Sequence, residues 1–167
     1  RPHVYLKGSP FPADFDEAAI YFHGGTSVAI EAGLLTRAQV GEALTRMRAN
    51  VKAAGAASIG LTLYPAYPEG FFKNPVMAKP YSYQNGGDWT WFGGRTLSGL
   101  IANGYAAEAY EEMLPMVERV LANNDFHEWY TLDNKAAGSG TYRGAAGVLG
   151  NAIMELRAWA EKVVAED

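Results

Sequence analysis

Two stretches of this 167-residue chain carry residue types whose spacing could do chemistry. The first is Tyr81-Ser82-Tyr83-Gln84-Asn85-Gly86-Gly87-Asp88-Trp89-Thr90-Trp91-Phe92-Gly93-Gly94. The amides of Gln84 and Asn85 both donate and accept, which suits hydroxyl-rich ligands. Gly86-Gly87 permits a tight turn or a close backbone approach. Asp88 suits the N-cap of a following helix. Tyr83, Trp89 and Trp91 offer flat faces that stack on rings, sugars included. The same residues also suit a capped helix start with two core Trp. The second stretch is Phe126-His127-Glu128-Trp129-Tyr130-Thr131. A carboxylate set between aromatic side chains is a setting that orients a base, and Glu128 is the candidate. Trp129 and Tyr130 extend the aromatic wall. Arg143, in Tyr142-Arg143-Gly144, could hold Glu128 ionised or bond a sugar hydroxyl. A solvated Glu and a helix-start Arg are the plainer alternatives.

Other chemistries fit poorly. With no Cys there is no thiolate nucleophile, no disulfide and no Cys-based zinc site. His3, His23 and His127 lie far apart, and His127-Glu128 lacks the second His of a zinc helix. Gly-x-Ser-x-Gly is missing, so Gly138-Ser139-Gly140 reads as a turn. No phosphate-cradling or dinucleotide Gly pattern follows a strand. Neither metal nor cofactor is therefore expected. Fourteen Lys+Arg against 18 Asp+Glu give a net charge of -4 without a basic stripe, which argues against nucleic acid. No apolar run approaches the roughly 20 residues of a membrane span. Arg1-Pro2-His3-Val4 has neither an initiator Met nor a signal peptide's apolar segment, so the chain reads as a processed product or fragment. Its compartment, cytoplasmic or periplasmic or secreted, stays open.

The elements that must position these stretches read as helices. At 49% hydrophobic residues, a single domain spanning 1–167 can bury a sizeable core. A first helix is expected from Asp16 to Ala32, with Gly24-Gly25 inside it calling for a close neighbour. A second starts at a capping box, Thr36 and Gln39, and ends at Gly55. Residues 56–88 hold Pro65, Pro68, Pro75 and Pro80, which exclude a long helix. Their many aromatics predict an ordered loop packed near a site, with a short strand within Ser58–Tyr64. Further helices are expected over about Trp89–Asn103, Ala106–Ala122 and Thr141–Val164, with a loop at Phe126–Gly140. Pro115 should kink the fourth. The result is an all-α architecture of antiparallel hairpins with long aromatic loops on one side.

At these motifs the chain resembles alkaline and neutral invertases. More broadly, it is similar to six-hairpin, (α/α)6-toroid glycoside hydrolases, including trehalases and processing α-glucosidases. The resemblance rests on Tyr83-Gln84-Asn85-Gly86-Gly87-Asp88-Trp89 opening a helix, a hairpin, Glu128-Trp129-Tyr130, then Tyr142-Arg143-Gly144. The hairpin of about Phe15 to Ala54, followed by Leu63-Tyr64-Pro65-Ala66, fits the preceding family segment. The resemblance implies a glycosidase with Glu128 as base or nucleophile. It implies a substrate-binding surface of Tyr83, Gln84, Asn85, Asp88, Trp89, Trp91, Trp129, Tyr130 and Arg143. Two departures mark this chain. The family's Pro after the motif Trp is Thr90 here. About three of six hairpins are present, and the family's acid Asp belongs to a hairpin upstream of them. Asp14 and Asp16 sit in the wrong hairpin to replace it. The chain is therefore expected to be the C-terminal half of a toroid, self-associating or completed by a complementary half. The alternative is a non-catalytic carbohydrate-binding or scaffold module. A sugar epimerase, which relies on paired His, fits three scattered His poorly.

Overall fold

The computed structural model describes residues 5–8 and 10–166; His3 and the rest of the first four residues lie outside the described residues. A 3-10 turn (Glu17–Ala19) precedes α1 (His23–Glu31), α2 (Arg37–Ala54), α3 (Thr90–Ala102), α4 (Ala106–Asn123), β1 (Trp129–Tyr130), β2 (Ala136–Ala137) and α5 (Arg143–Glu166). The described chain is mostly helical, and its one sheet is the antiparallel β1–β2 pair. No described helix is long and apolar enough to cross a membrane.

Local chemistry explains the helix ends. Thr36 accepts from the Gln39 N–H at 3.4 Å, and the Thr36 N–H donates back to the Gln39 side chain at 2.9 Å. This capping box satisfies two otherwise orphaned donors of α2. Gly55 closes α2 in the left-handed region, at φ 70°. The helix expected over Asp16–Ala32 is instead two pieces, because Tyr21 is taken out of it. Its N–H donates to the Tyr64 carbonyl at 2.7 Å, and its own carbonyl accepts from the Tyr64 N–H at 3.0 Å. Of the Gly24-Gly25 pair, Gly24 has the close neighbour: a Cβ there would lie 2.9 Å from the Phe92 ring. The expected strand within Ser58–Tyr64 reduces to isolated pairings, Tyr21 with Tyr64 and Leu61 with Asp88. The β1–β2 hairpin inside the second loop was not legible in the sequence.

α3 is the organising helix. It packs between α1 and α5 and is backed by α4. Leu97 and Leu100 of α3 meet Ile30 of α1, Val40, Leu44 and Met47 of α2, Met113 and Met116 of α4, and Leu149 of α5 in one buried core. The long loop 56–88 is ordered by a second cluster, in which Tyr67 stacks on Phe71 with ring centroids 4.7 Å apart. Ile59, Leu61 and Leu63 drop from this loop into the interior. The loop thereby ends at Asp88, fixed against the start of α3.

Candidate functional site

The site is built on a buried ion pair. Asp88 and Arg119 are 1% and 0% exposed, and Arg119 Nη1 lies 3.0 Å from Asp88 Oδ2. That approach is close in distance but not aligned as a hydrogen bond. Arg119 Nη2 donates to Thr90 Oγ1 at 2.7 Å, and the guanidinium lies 4.0 Å over the Tyr130 ring. The other contacts of Asp88 come from Ser58, whose N–H and hydroxyl donate at 2.9 and 2.6 Å. Asp88 therefore does not cap α3. The N-cap position falls to Trp89, which makes no side-chain cap bond. The cause is charge: a buried guanidinium and two donors from Ser58 hold the carboxylate more strongly than one helix N–H.

Backbone pairing carries this rigidity to Glu128. The Asp88 N–H donates to the Tyr130 carbonyl at 3.0 Å, and the Tyr130 N–H donates to the Asp88 carbonyl at 2.7 Å. Two residues earlier, the Glu128 N–H donates to Ser139 at 2.9 Å. Asp125 pins the same loop by accepting from the Phe126 and Thr141 N–H groups at 2.7 and 2.9 Å. Burial raises the Asp125 pKa, but these bonds outweigh it and hold the carboxyl below its ordinary value. Gly138, at φ +69°, closes over Glu128; a Cβ there would fall 2.6 Å from Glu128 Oε2.

On the opposite side Tyr83 reaches Glu128. Its hydroxyl donates to Glu128 Oε1 at 3.2 Å. Tyr83 sits in the left-handed region at φ 47°, a costly conformation for a non-glycine residue. Its carbonyl is held twice there, by the Trp89 indole N–H at 3.0 Å and the Gly87 N–H at 2.9 Å. Burial and the adjacent Glu128 carboxylate push the Tyr83 phenol above its ordinary pKa.

The expected residues thus separate into two layers. Tyr83, Glu128 and Trp129 come together at the half-buried surface, with the Tyr83 and Trp129 rings 6.3 Å apart. Trp91 is half-buried, and both it and Tyr142 flank Gly144. Arg95 lies 4.4 Å over the Trp91 ring. Gln84 and Arg143 are exposed. Asn85, Asp88, Trp89 and Tyr130 lie beneath, each 3% exposed or less. They were expected to meet a sugar; in the structure they hold the loops. Asn85 shows why, since its Oδ1 accepts from the Tyr67 N–H at 2.9 Å and its amide donates to the carbonyls of Tyr67, Met77 and Lys79. A buried amide with this many backbone partners organises a loop rather than a ligand.

Arg119, Ser58 and Asp125 escaped the sequence reading. Arg119 had a signal: it continues the Met113, Met116 stripe at three-residue spacing, where a charge is out of place on a core face. Among the described residues no group of three or more His, Cys, Asp or Glu is placed to hold a metal ion. No protein-family model matches the chain, and no curated protein is significantly similar to it.

Proposed function

We propose that this chain is one arc of an (α/α)-toroid glycoside hydrolase, supplying Glu128 as the base or nucleophile carboxylate and part of an aromatic sugar cleft. The observation that carries the reading is the Tyr83–Glu128 hydrogen bond at 3.2 Å within a half-buried aromatic surface. Tyr83, Trp129, Tyr142 and Trp91 give that surface the stacking faces that pyranose rings take. The helix order is consistent with an arc: α1, α3 and α5 lie side by side, and α2 and α4 connect them in turn. Repetition of that connection is what closes a helical toroid.

Glycoside hydrolysis takes two carboxyl groups, about 5–5.5 Å apart for retention and roughly 6.5–9.5 Å for inversion. Asp88 is locked by Arg119 and Ser58, and Asp125 is engaged by backbone N–H groups and the Thr141 hydroxyl. On this reading the acid partner comes from a complementary half. In the complete cleft, Tyr83 would orient Glu128 through Oε1. Glu128 would then either attack the anomeric carbon or take the proton of the attacking water.

A specific observation also favours a second reading, a non-catalytic carbohydrate-binding module: both neighbouring acids are already engaged. Incubation with sucrose, trehalose and maltotetraose separates the two. The first reading expects sugar binding and no turnover by the chain alone. It also expects turnover once a complementary half is added, abolished by Glu128→Gln. Full activity of the isolated chain, or a complemented Glu128→Gln variant with unchanged activity, overturns it.

A further inference from the structure

α1, α3 and α5 run parallel. Gly24 faces the Phe92 ring, the Ser27 and Thr96 hydroxyls bond at 2.6 Å, and Ile30 packs on Gly99, so contacts advance along α1 and α3 in step. Trp91 meets Gly144, Gly94 meets Val148, and the Asn151 amide lies 3.5 Å from the Ser98 hydroxyl, which advances α5 in the same sense. The C-terminal ends of α1, at Glu31, and of α3, at Ala102, therefore arrive together against the side of α5. They form a cleft of about 370 Å³ toward the end of α3 that points away from the motif loop. Ile30, Gly99, Gly147 and Val148 give it apolar walls.

Its polar groups are acceptors in search of a donor. Glu155 accepts from the Asn151 amide through Oε1 at 2.8 Å, whereas its Oε2 is shielded from solvent and has no hydrogen-bond partner among the described residues. A shielded carboxylate oxygen without a donor is costly. Asn103 spends its amide on the Gly99 carbonyl at 2.8 Å, which leaves its side-chain oxygen to accept. The cation lining the cleft, Arg95, is committed elsewhere: its Nε donates to Glu31 Oε2 at 2.6 Å and its guanidinium lies 4.4 Å over the Trp91 ring. Glu31 and Glu155 against Arg95 leave the cleft one net negative charge, and two helix C-termini add the negative ends of their dipoles.

We propose that this cleft binds a small primary ammonium ion, a short alkylamine whose head donates to Glu155 Oε2 and the Asn103 side-chain oxygen while its chain lies on Ile30 and Val148. An ammonium group brings three donors and no acceptor, which matches what the cleft lacks. A metal ion fits worse, since no group of three or more His, Cys, Asp or Glu gathers among the described residues. One net negative charge calls for a monocation, and the apolar walls call for an organic one. The inference rests on the α1–α3–α5 cleft alone and stands or falls independently of any role of Glu128.

The probe is n-butylammonium chloride, with n-butanol as its uncharged counterpart and sodium chloride at equal ionic strength as the salt control. In proton–nitrogen NMR spectra of the full chain, butylammonium is expected to shift the Asn103 and Asn151 side-chain amide signals saturably, and neither control is. Glu155→Gln keeps the side-chain shape and removes its charge, so it is expected to weaken binding at least about tenfold. A Cβ at Gly147 has open space around it, so Gly147→Leu fills the cleft from α5 and leaves Glu155 in place. That variant is expected to keep its helix content by circular dichroism and to lose the shifts. No saturable shift up to about 100 mM butylammonium overturns the proposal. So do equal shifts from butanol, unchanged affinity in Glu155→Gln, or unchanged affinity in folded Gly147→Leu.

Discussion

The Arg119 guanidinium sits 3.0 Å from the Asp88 carboxylate, and neither side chain reaches solvent. One belongs to the buried face of α4 and the other to the motif loop, so this contact ties the helices to the site. Removing one partner leaves a buried charge, which costs about 3–5 kcal/mol. Arg119→Ala is expected to lose stability of that order in urea unfolding. The double variant Asp88→Asn/Arg119→Met is expected to recover part of it, because Asn keeps an acceptor for the buried Ser58 donors. An Arg119→Ala variant as stable as wild type would show that the pair does not organise the loop.

His23 predicts the pH dependence of stability. It is fully buried at the start of α1, with Nε2 3.1 Å from the Asn50 amide, and burial lowers its pKa from 6.5 to about 4. Between those values the unfolded chain binds the proton and the folded chain does not. Stability is therefore expected to fall as the pH drops from 6.5 to 4, by about 3 kcal/mol from this group. His23→Gln should flatten that part of the curve. Urea midpoints measured across pH 4–7 read the slope directly, and an equal slope in both proteins would contradict the assignment.

The coarse helical architecture was legible because periodicity and caps are local. Thr36 and Gln39 announce α2, and Gly55 and Gly104 mark stops that the structure realises at positive φ. What escaped is non-local. Asp88 looks like a cap until Arg119, 31 positions later, claims it. Tyr21 looks helical until Tyr64 pairs with its backbone. Asn85 and Trp89 have the right types for a sugar site, yet burial assigns them to the layer that supports Tyr83 and Glu128. Residue type names the chemistry available; only packing decides which side chains keep a free face.

Gly138 is predicted to be irreplaceable. A methyl group there meets Glu128 Cβ and the Trp129 ring, each at 2.9 Å, and φ +69° disfavours a side chain. Gly138→Ala is expected to lose about 1–3 kcal/mol and to weaken binding of maltotetraose through a displaced Glu128. Calorimetry on the folded variant checks both; an unchanged unfolding temperature would contradict the close approach.

The Tyr83 phenol reports on Glu128. Burial and then the Glu128 carboxylate oppose its ionisation, so it titrates above its ordinary value. In Glu128→Gln the charge is gone, and the Tyr83 transition is expected to move down in pH. Phenolate absorbance, with Tyr83→Phe identifying the transition, measures it. A transition that stays put would mean that Tyr83 and Glu128 do not meet in solution.

The four Trp allow the most direct test of the proposed sugar cleft. Each indole N–H gives one resolvable proton–nitrogen NMR signal, assigned by single substitutions. Titration with sucrose, trehalose or maltotetraose is predicted to shift Trp91 and Trp129 strongly, with Trp89 following weakly from beneath and Trp159 unmoved. Shifts confined to Trp159, or no shift from any of the three sugars at tens of millimolar, would contradict a carbohydrate site around Glu128.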